Sequence, residues 1–139
     1  MDFALDKTQK DIQKAARDFA KGEFDKELAL ELEEKHEFPH AIWQRACEEG
    51  FVGLHFPEEY GGSGYGLLEN VLVIEEFCRR DSGIGAALMV THFSCENVLH
   101  HGTEEQKKRF LPPVAEGKGI SAGAFTEPEH GSDITRMAT

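Results

Sequence analysis

Short amphipathic helix patterns dominate this sequence, and each is bounded by a capping residue, a glycine or a proline. Asp6 is followed three residues later by Gln9, the spacing of a capping box, and Gly22 closes the same pattern. The capping spacing recurs at Thr103 and Gln106 near the other end of the chain. In the first pattern, apolar side chains fall at helical intervals at Ile12, Ala15, Ala16, Phe19 and Ala20. A chain built from such patterns is expected to form its core by packing helix against helix.

Further helices are predicted between these two caps. Residues 24–35 are predicted to form a mostly solvated helix, and Pro39 opens another helix that Gly50 closes. Residues 67–80 are apolar on most faces, so we expect this helix in the middle of the bundle. The inner face of the helix that begins at Pro39 is predicted to hold Ile42, Trp43, Ala46 and Cys47.

A glycine-rich segment separates the two halves of the chain. Residues 58–66 contain several glycines but no G-x-G-x-x-G spacing, so we predict an interhelix loop rather than a nucleotide-binding loop. Asp81 or Ser82 then caps the next helix, and residues 94–100 form another short one.

The last helix carries a pair of prolines. Pro112 and Pro113 are expected to bend or end it, because proline removes a backbone donor and crowds the preceding turn. Phe110 and Leu111 are predicted to face inward, and residues 120–125 beyond the helix to be extended. The predicted fold class is therefore all-α: an orthogonal or up-down bundle of six or seven helices that ends in the first strand of a β-domain.

Composition narrows the classes of partner. The formal net charge is −11 and the pI is near 5.0, which disfavours binding to a nucleic-acid backbone. No stretch of the sequence reaches the length and apolar character of a membrane span, and no basic segment followed by an apolar run opens the chain. We therefore expect a location in the cytoplasm or, after processing, in an organellar matrix.

The sequence offers no nucleophile or metal centre. His36 and His40 are separated by Pro39, which breaks the helix that would align them as metal ligands, so no metal is expected. The Glu residues fall on polar helix faces, where solvation is the default. The cysteines lie in apolar patterns that favour burial and a raised pKa over disulfide formation or reactivity: Cys47, Cys78 and Cys95.

One predicted helix has a surface almost bare of side chains, formed by Gly83, Gly85, Ala86 and Ala87. Such a surface permits a tight crossing with another helix. It also suits a wall shaped for a ligand, and both interpretations stay open.

The end of the chain combines hydrogen-bond donors with a turn. A strand ending at Thr126, followed by Pro128, would present Thr126, Gly131 and Ser132 on one side. Glycine lets a backbone approach a ligand and serine adds a rotatable hydroxyl, which together suit phosphate or amide groups. A turn with an Asx or Ser cap and no ligand is the alternative.

The terminal segment resembles a known flavin-binding signature. Phe125-Thr126-Glu127-Pro128, then Gly131-Ser132-Asp133 and Thr139, is similar to that of the acyl-CoA dehydrogenase family. Leu5–Gln9, Pro57–Gly62 and Gly102–Lys107 with Leu111-Pro112 support the likeness, which covers essentially the whole chain. It implies a helical N-terminal domain over residues 1–118, and the start of the middle β-domain over residues 119–139. Glu129 and His130 replace the small residues common in that turn.

The resemblance implies a flavoprotein oxidoreductase of acyl-CoA metabolism. A carboxylate removes the α-proton of an acyl-CoA thioester while hydride passes from the β-carbon to FAD, and an electron-transfer flavoprotein accepts the electrons. By resemblance, the cofactor contacts are Phe125, Thr126, Gly131 and Ser132, and the substrate contacts are Ser132, Gly85, Ala86 and Met89. The catalytic carboxylate is expected on a C-terminal domain outside this chain, so the residues here include no catalytic group. The parent is expected to be a dimer or tetramer, and this chain alone is expected to be inactive and to bind flavin weakly or not at all.

Two other functions stay open at this stage. An acyl-CoA oxidase-like relative would pass its electrons to oxygen instead of to a flavoprotein. If the natural chain ends at Thr139, the hypothesis is a non-catalytic helical module for binding or assembly.

Overall fold

The computed structural model describes residues 3–139. Those residues form seven α-helices, as the sequence predicts: α1 (Lys7–Glu23), α2 (Lys26–Lys35), α3 (His40–Glu48), α4 (Leu67–Arg80), α5 (Ser82–Met89), α6 (Cys95–His101) and α7 (Glu104–Ala115). Three single 3₁₀ turns lie at Glu58–Tyr60, Val90–His92 and Ile134–Arg136. The predicted all-α class is confirmed.

The capping residues predicted from the sequence begin the helices. The Asp6 carboxylate accepts a hydrogen bond from the backbone N–H of Gln9, and the backbone N–H of Asp6 donates to Gln9 Oε1, so α1 opens with a complete capping box. Thr103 and Gln106 form the same arrangement at the start of α7. Asp81 accepts from the backbone of Ile84 and caps α5.

Helices α1 and α4 pack side by side and run parallel. Three hydrogen-bonded residue pairs occur in the same order along α1 and α4: Gln9 with Glu69 (2.8 Å), Arg17 with Glu76 (2.8 and 2.9 Å), and Arg80 with the carbonyl of Phe24, which follows α1 directly (3.2 Å). The long connection through α2, α3 and the glycine loop makes this parallel arrangement possible. Helix α5 packs on another face of α4.

A cluster of phenylalanines fills the space between α1, α4 and the loop after α3. The ring of Phe19 lies 5.2 Å from that of Phe51 and 5.4 Å from that of Phe77, and Phe24 lies 5.3 Å from Phe77. Phe77 is fully buried. Burial of a ring of this size contributes about 1.5–3 kcal/mol to folding. The predicted inner face of α3 is also buried in full.

Helix α4 departs from its predicted environment. Leu67, Leu68 and Val71 are exposed, so the first turns of α4 lie at the surface rather than in the middle of the bundle. The reason is geometric, since α1 and α5 cover two faces of the helix and leave this one open among the described residues.

Helix α7 also differs from its prediction. It continues through Pro112 and Pro113 to Ala115, because the buried side chains of Leu111 and Val114 hold its last turn against the core. Phe110 is exposed rather than inward, and its ring lies beneath the guanidinium of Arg109 at 5.1 Å.

Residues 120–125 are extended but form no β-ladder within the described part of the chain. A strand requires a neighbouring strand, and the one backbone hydrogen bond of this segment goes to a helical turn instead. The predicted first strand is therefore an extended arm here.

Candidate functional site

Thr91 fixes the extended arm to the helical bundle. Its carbonyl accepts hydrogen bonds from the backbone N–H of Ser121 (2.8 Å) and from the hydroxyl of Ser121 (2.9 Å). Its own hydroxyl donates to the carbonyl of Leu88 (2.6 Å) and accepts from the indole N–H of Trp43 (3.2 Å). The hydroxyl and the carbonyl of this buried residue are both engaged, so the arm begins at a well-defined position.

A cavity of about 480 Å³ lies between the arm and the face of α5 with the turn that follows it. The ring of Phe125 meets that of Phe93 edge-on, with 6.0 Å between their centroids. Gly123 lets the Phe125 ring pack closely against the arm, because a Cβ there would lie 2.3 Å from Phe125 Cε2 and would displace the ring. The lining residues are mostly apolar: Phe38, Ala87, Val90, Thr91, Phe93, Ser94, Ile120, Ser121, Ala122, Gly123 and Phe125.

A tight turn follows the arm and is tied to the end of the chain by Glu127. The backbone groups of Glu127 and His130 exchange hydrogen bonds of 2.9 and 3.2 Å. The carboxylate of Glu127 accepts from the backbone N–H of Ala138 (2.8 Å) and of Thr139 (3.0 Å) and from the hydroxyl of Thr139. These bonds, led by that from Ala138, lower the pKa of Glu127 below its ordinary value. The carboxylate is therefore a structural clamp.

The predicted cofactor residues present unused donors. The backbone N–H groups of Phe125, Thr126, Gly131 and Ser132 donate no hydrogen bond within residues 3–139, and the hydroxyls of Thr126 and Ser132 also lack partners there. A Cβ at Gly131 would lie 3.9 Å from Thr126 Cγ2, so the turn brings these two positions together. Such a donor set fits the oxygen and nitrogen atoms of a flavin ring and its phosphates.

The predicted substrate residues on α5 lie on different faces. Gly85 packs against α4, where an added Cβ would lie 2.7 Å from the backbone nitrogen of Cys78. Met89 is buried in the core and Ala86 is exposed. The tight helix crossing, one of the two interpretations left open for this surface, is thus what the structure contains at Gly85.

Sequence reasoning missed most of the cavity wall. Ala87, Val90 and Ser94 follow one another at helical intervals along the face that the arm crosses. That spacing is visible in the sequence, but nothing in it indicates that the arm returns over this face. Ala86, Val90 and Phe93 form an adjacent exposed line that leads from α5 towards Phe125.

A buried pair of imidazoles lies behind this wall. The rings of His55 and His92 are 5.4 Å apart, and His55 also contacts the carboxylate of Glu96. Burial, and secondarily the neighbouring His55, lowers the pKa of His92 to about 4. His92 is therefore neutral in the folded protein near neutral pH.

The three cysteines behave as buried apolar groups. Cys47 and Cys95 are buried and Cys78 is half-buried, and all three are free thiols. Desolvation raises the pKa of Cys47 to about 11 and moves the pKa values of the other two upward. The predicted burial is confirmed for Cys47 and Cys95, and the low reactivity stays a prediction. No helix of residues 3–139 has the length and apolar character needed to cross a membrane.

Comparison with known proteins identifies the family. Residues 6–118 match the family described as acyl-CoA dehydrogenase, N-terminal domain. Acryloyl-CoA reductase (NADH) of Anaerotignum propionicum is 35% identical over 139 residues, which are 100% of this chain and 35% of that protein. Subunit CarC of the caffeyl-CoA reductase-Etf complex of Acetobacterium woodii is 40% identical over 130 residues, 92% of this chain and 34% of that protein.

A solved structure agrees with these matches. Acyl-CoA dehydrogenase of Bacillus anthracis, complexed with FAD, has a TM-score of 0.78 and 34% identity over 94% of this chain and 22% of that one. The chain thus spans about a third, or less, of the length of these relatives. Together the matches confirm the resemblance drawn from the terminal signature, and the chain belongs to the acyl-CoA dehydrogenase family through its N-terminal domain.

Proposed function

We propose that this chain forms part of an FAD-dependent acyl-CoA dehydrogenase, which removes hydrogen from the α- and β-carbons of an acyl-CoA thioester. The observation that carries the proposal is the arm-and-turn segment: an apolar cavity meets a turn whose backbone and hydroxyl donors are unused. Residues 1–118 would be the helical domain, and residues 119–139 the entry to a middle β-domain.

FAD fits the donors of the terminal turn. Phe125 and Thr126 would meet the flavin ring, and Gly131 and Ser132 would donate to its pyrophosphate or to the pantetheine arm of the substrate. The unused N–H groups of these residues support this assignment. FAD supplies a hydride acceptor when bound. The relative from Bacillus anthracis, described as complexed with FAD, adds support.

The acyl group would lie along α5. Ala86 is exposed and can contact it directly, whereas Gly85 and Met89 would act by setting how closely the helix packs on the core. The apolar cavity under the arm supports a place for a hydrocarbon group next to Phe125.

The chemical step needs groups beyond this chain. The thioester α-proton is weakly acidic, so the carboxylate that removes it works only if donors stabilise the enolate that forms. We assign this base to a C-terminal domain, and we propose none of the described glutamates as the catalytic base. This chain would hold the flavin edge and exclude water from the reacting carbons.

Partners follow from the same proposal. An electron-transfer flavoprotein would accept the electrons, supported by the relative that is a subunit of a reductase-Etf complex. The enzyme would be a homo-oligomer, a dimer or tetramer, working in the cytoplasm or an organellar matrix.

A second candidate function is the reverse reaction, reduction of an enoyl-CoA. The observation in its favour is that both curated relatives described above are named reductases. An oxidase-like relative remains the further alternative.

The test is to purify the product of the full reading frame and measure its flavin content and its turnover. Acyl-CoA with a dye acceptor, enoyl-CoA with a reductant, and peroxide release distinguish the three functions. Bound FAD with dye-coupled acyl-CoA turnover supports the dehydrogenase. A reading frame that ends at Thr139, or a longer product without flavin, contradicts all three.

A further inference from the structure

A cleft between α1 and α4 is lined mainly by cations. It has a volume of about 190 Å³, and its lining residues are Arg17, Lys21, Glu76, Arg79 and Arg80. The whole chain carries a formal net charge of −11, so this cleft is opposite in sign to the protein as a whole. None of its lining residues lines the cavity under the arm. Cations gathered in this way repel one another unless an anion lies among them.

The buried carboxylate of Glu76 compensates only part of this positive charge. It accepts hydrogen bonds of 2.8 and 2.9 Å from Arg17, and Arg79 Nη1 lies 3.3 Å from it. The Glu76 side chain is 1% exposed, so it holds both guanidinium groups in fixed positions. Four cations against one carboxylate leave the cleft with a net charge of +3. Glu75 also pairs with Arg79, but both side chains are more than half exposed, so water screens that pair.

Several donors of the cleft have no acceptor within residues 3–139. Lys21 Nζ makes no hydrogen bond or ion pair there. Arg17 bonds through Nε and Nη2, which leaves Nη1. Arg80 bonds through Nε alone, to the carbonyl of Phe24 at 3.2 Å, which leaves both of its terminal nitrogens. Free cationic donors therefore reach the cleft from both helices.

We infer that the cleft between α1 and α4 is a binding site for a diphosphate group. Guanidinium forks and an ammonium group are the side chains that best match phosphate oxygens. One phosphate carries about −1.5 to −2 at neutral pH, so a single phosphate leaves part of the +3 charge uncompensated and two adjacent phosphates match it. The inference does not depend on the proposed function, which places FAD and acyl-CoA at the arm and the terminal turn.

The test uses the 139-residue chain without flavin. Pyrophosphate and orthophosphate are titrated at pH 7 and low salt by calorimetry, while NMR follows the backbone amides of α1 and α4. The variant Lys21→Gln with Arg79→Gln removes two exposed cations of the cleft. The control Lys108→Gln with Arg109→Gln removes one Lys and one Arg at exposed positions of α7, and it changes the net charge by the same amount.

The expected result is a loss of affinity confined to the cleft variant. Pyrophosphate should bind wild type more tightly than orthophosphate and shift amides of both helices. The cleft variant should weaken pyrophosphate binding about tenfold or more, because two charge-assisted hydrogen bonds are lost, whereas the control should change it less than about twofold. Lys21→Gln alone, which removes a side chain without a bonded partner, should weaken binding about tenfold without affecting the fold.

Three results would overturn the inference: equal losses in the cleft variant and the control, equal affinities for pyrophosphate and orthophosphate, or no shift in α1 and α4. A glutamate-rich peptide that binds as tightly as pyrophosphate would also overturn it, since the cleft would then be a protein-docking surface. Titration with ADP identifies the source of the diphosphate. Tighter binding of ADP than of pyrophosphate supports a nucleotide, and weaker binding supports a free polyphosphate.

Discussion

Replacement of His92 tests whether burial of its imidazole makes the stability of the protein depend on pH. The imidazole is 2% exposed, and burial lowers its pKa from 6.5 to about 4. A pKa difference of that size between unfolded and folded states corresponds to about 3 kcal/mol. Because the unfolded chain binds the proton more readily, this contribution is present above pH 6.5 and is lost as the pH falls towards 4.

The assay is urea unfolding of the 139-residue chain at several pH values from 4 to 8. Between pH 6.5 and 4, wild type should lose about 3 kcal/mol more than His92→Leu, which has no imidazole to protonate. His101→Leu, at an exposed position of α6, serves as the control and should follow the wild type. Parallel pH profiles for wild type and His92→Leu would refute the reasoning, because His92 would then titrate as it does in the unfolded chain.

The remaining predictions concern packing, charge and the arm. Gly85→Ala should lower the free energy of unfolding by about 1–3 kcal/mol, because the added Cβ would lie 2.7 Å from the α4 backbone. The control Gly22→Ala, whose Cβ would have no atom within 4 Å, should raise the free energy of unfolding by about 0.5–1 kcal/mol. Equal effects of the two variants in urea unfolding would contradict the tight crossing of α5 and α4. Arg17→Met should destabilise the chain at pH 7 by leaving buried Glu76 without its bidentate partner. Arg17 is the main cause of the lowered pKa of Glu76 in the folded protein, so the stability gained from this ion pair is lost as the pH falls through that pKa. The difference in unfolding free energy between wild type and Arg17→Met should therefore shrink in acid, and a difference that stays constant would refute the pairing. Gly123→Ala should displace the Phe125 ring, which would lie 2.3 Å from the added Cβ. FAD binding by the full-length protein should then weaken about tenfold, as measured by flavin release. An undiminished flavin content would show that the Phe125 ring does not hold the cofactor.

Local signals in the sequence predicted the helices well because their causes are local. The capping boxes at Asp6 and Thr103 and the inner face of α3 depend on spacing within one helix, and all are present in the structure. Where prediction was wrong, tertiary contacts decided the outcome. Helix α7 continues past Pro112 because its last turn is anchored in the core, a fact that local proline chemistry does not contain.

The candidate site likewise combines residues suggested by a local sequence pattern with residues brought together only by tertiary contacts. Thr126 and Gly131 are proposed as cofactor contacts from the terminal signature, which is contiguous in sequence, and this role stays a prediction. The cavity wall at Ala87 and Ser94 depends on Ser121 bonding back to Thr91, thirty positions earlier in the chain, which no single-segment pattern reveals. The buried carboxylate of Glu76 was also missed, because its environment is created by Arg17 of another helix.

The most direct test of the central proposal is anaerobic mixing of the full-length protein with acyl-CoA while the visible absorption of the flavin is recorded. The proposed dehydrogenase should bind FAD and lose that absorption as hydride is transferred, in the absence of any electron acceptor. A protein that binds no flavin, or whose flavin stays oxidised with every acyl-CoA offered, would contradict the assignment.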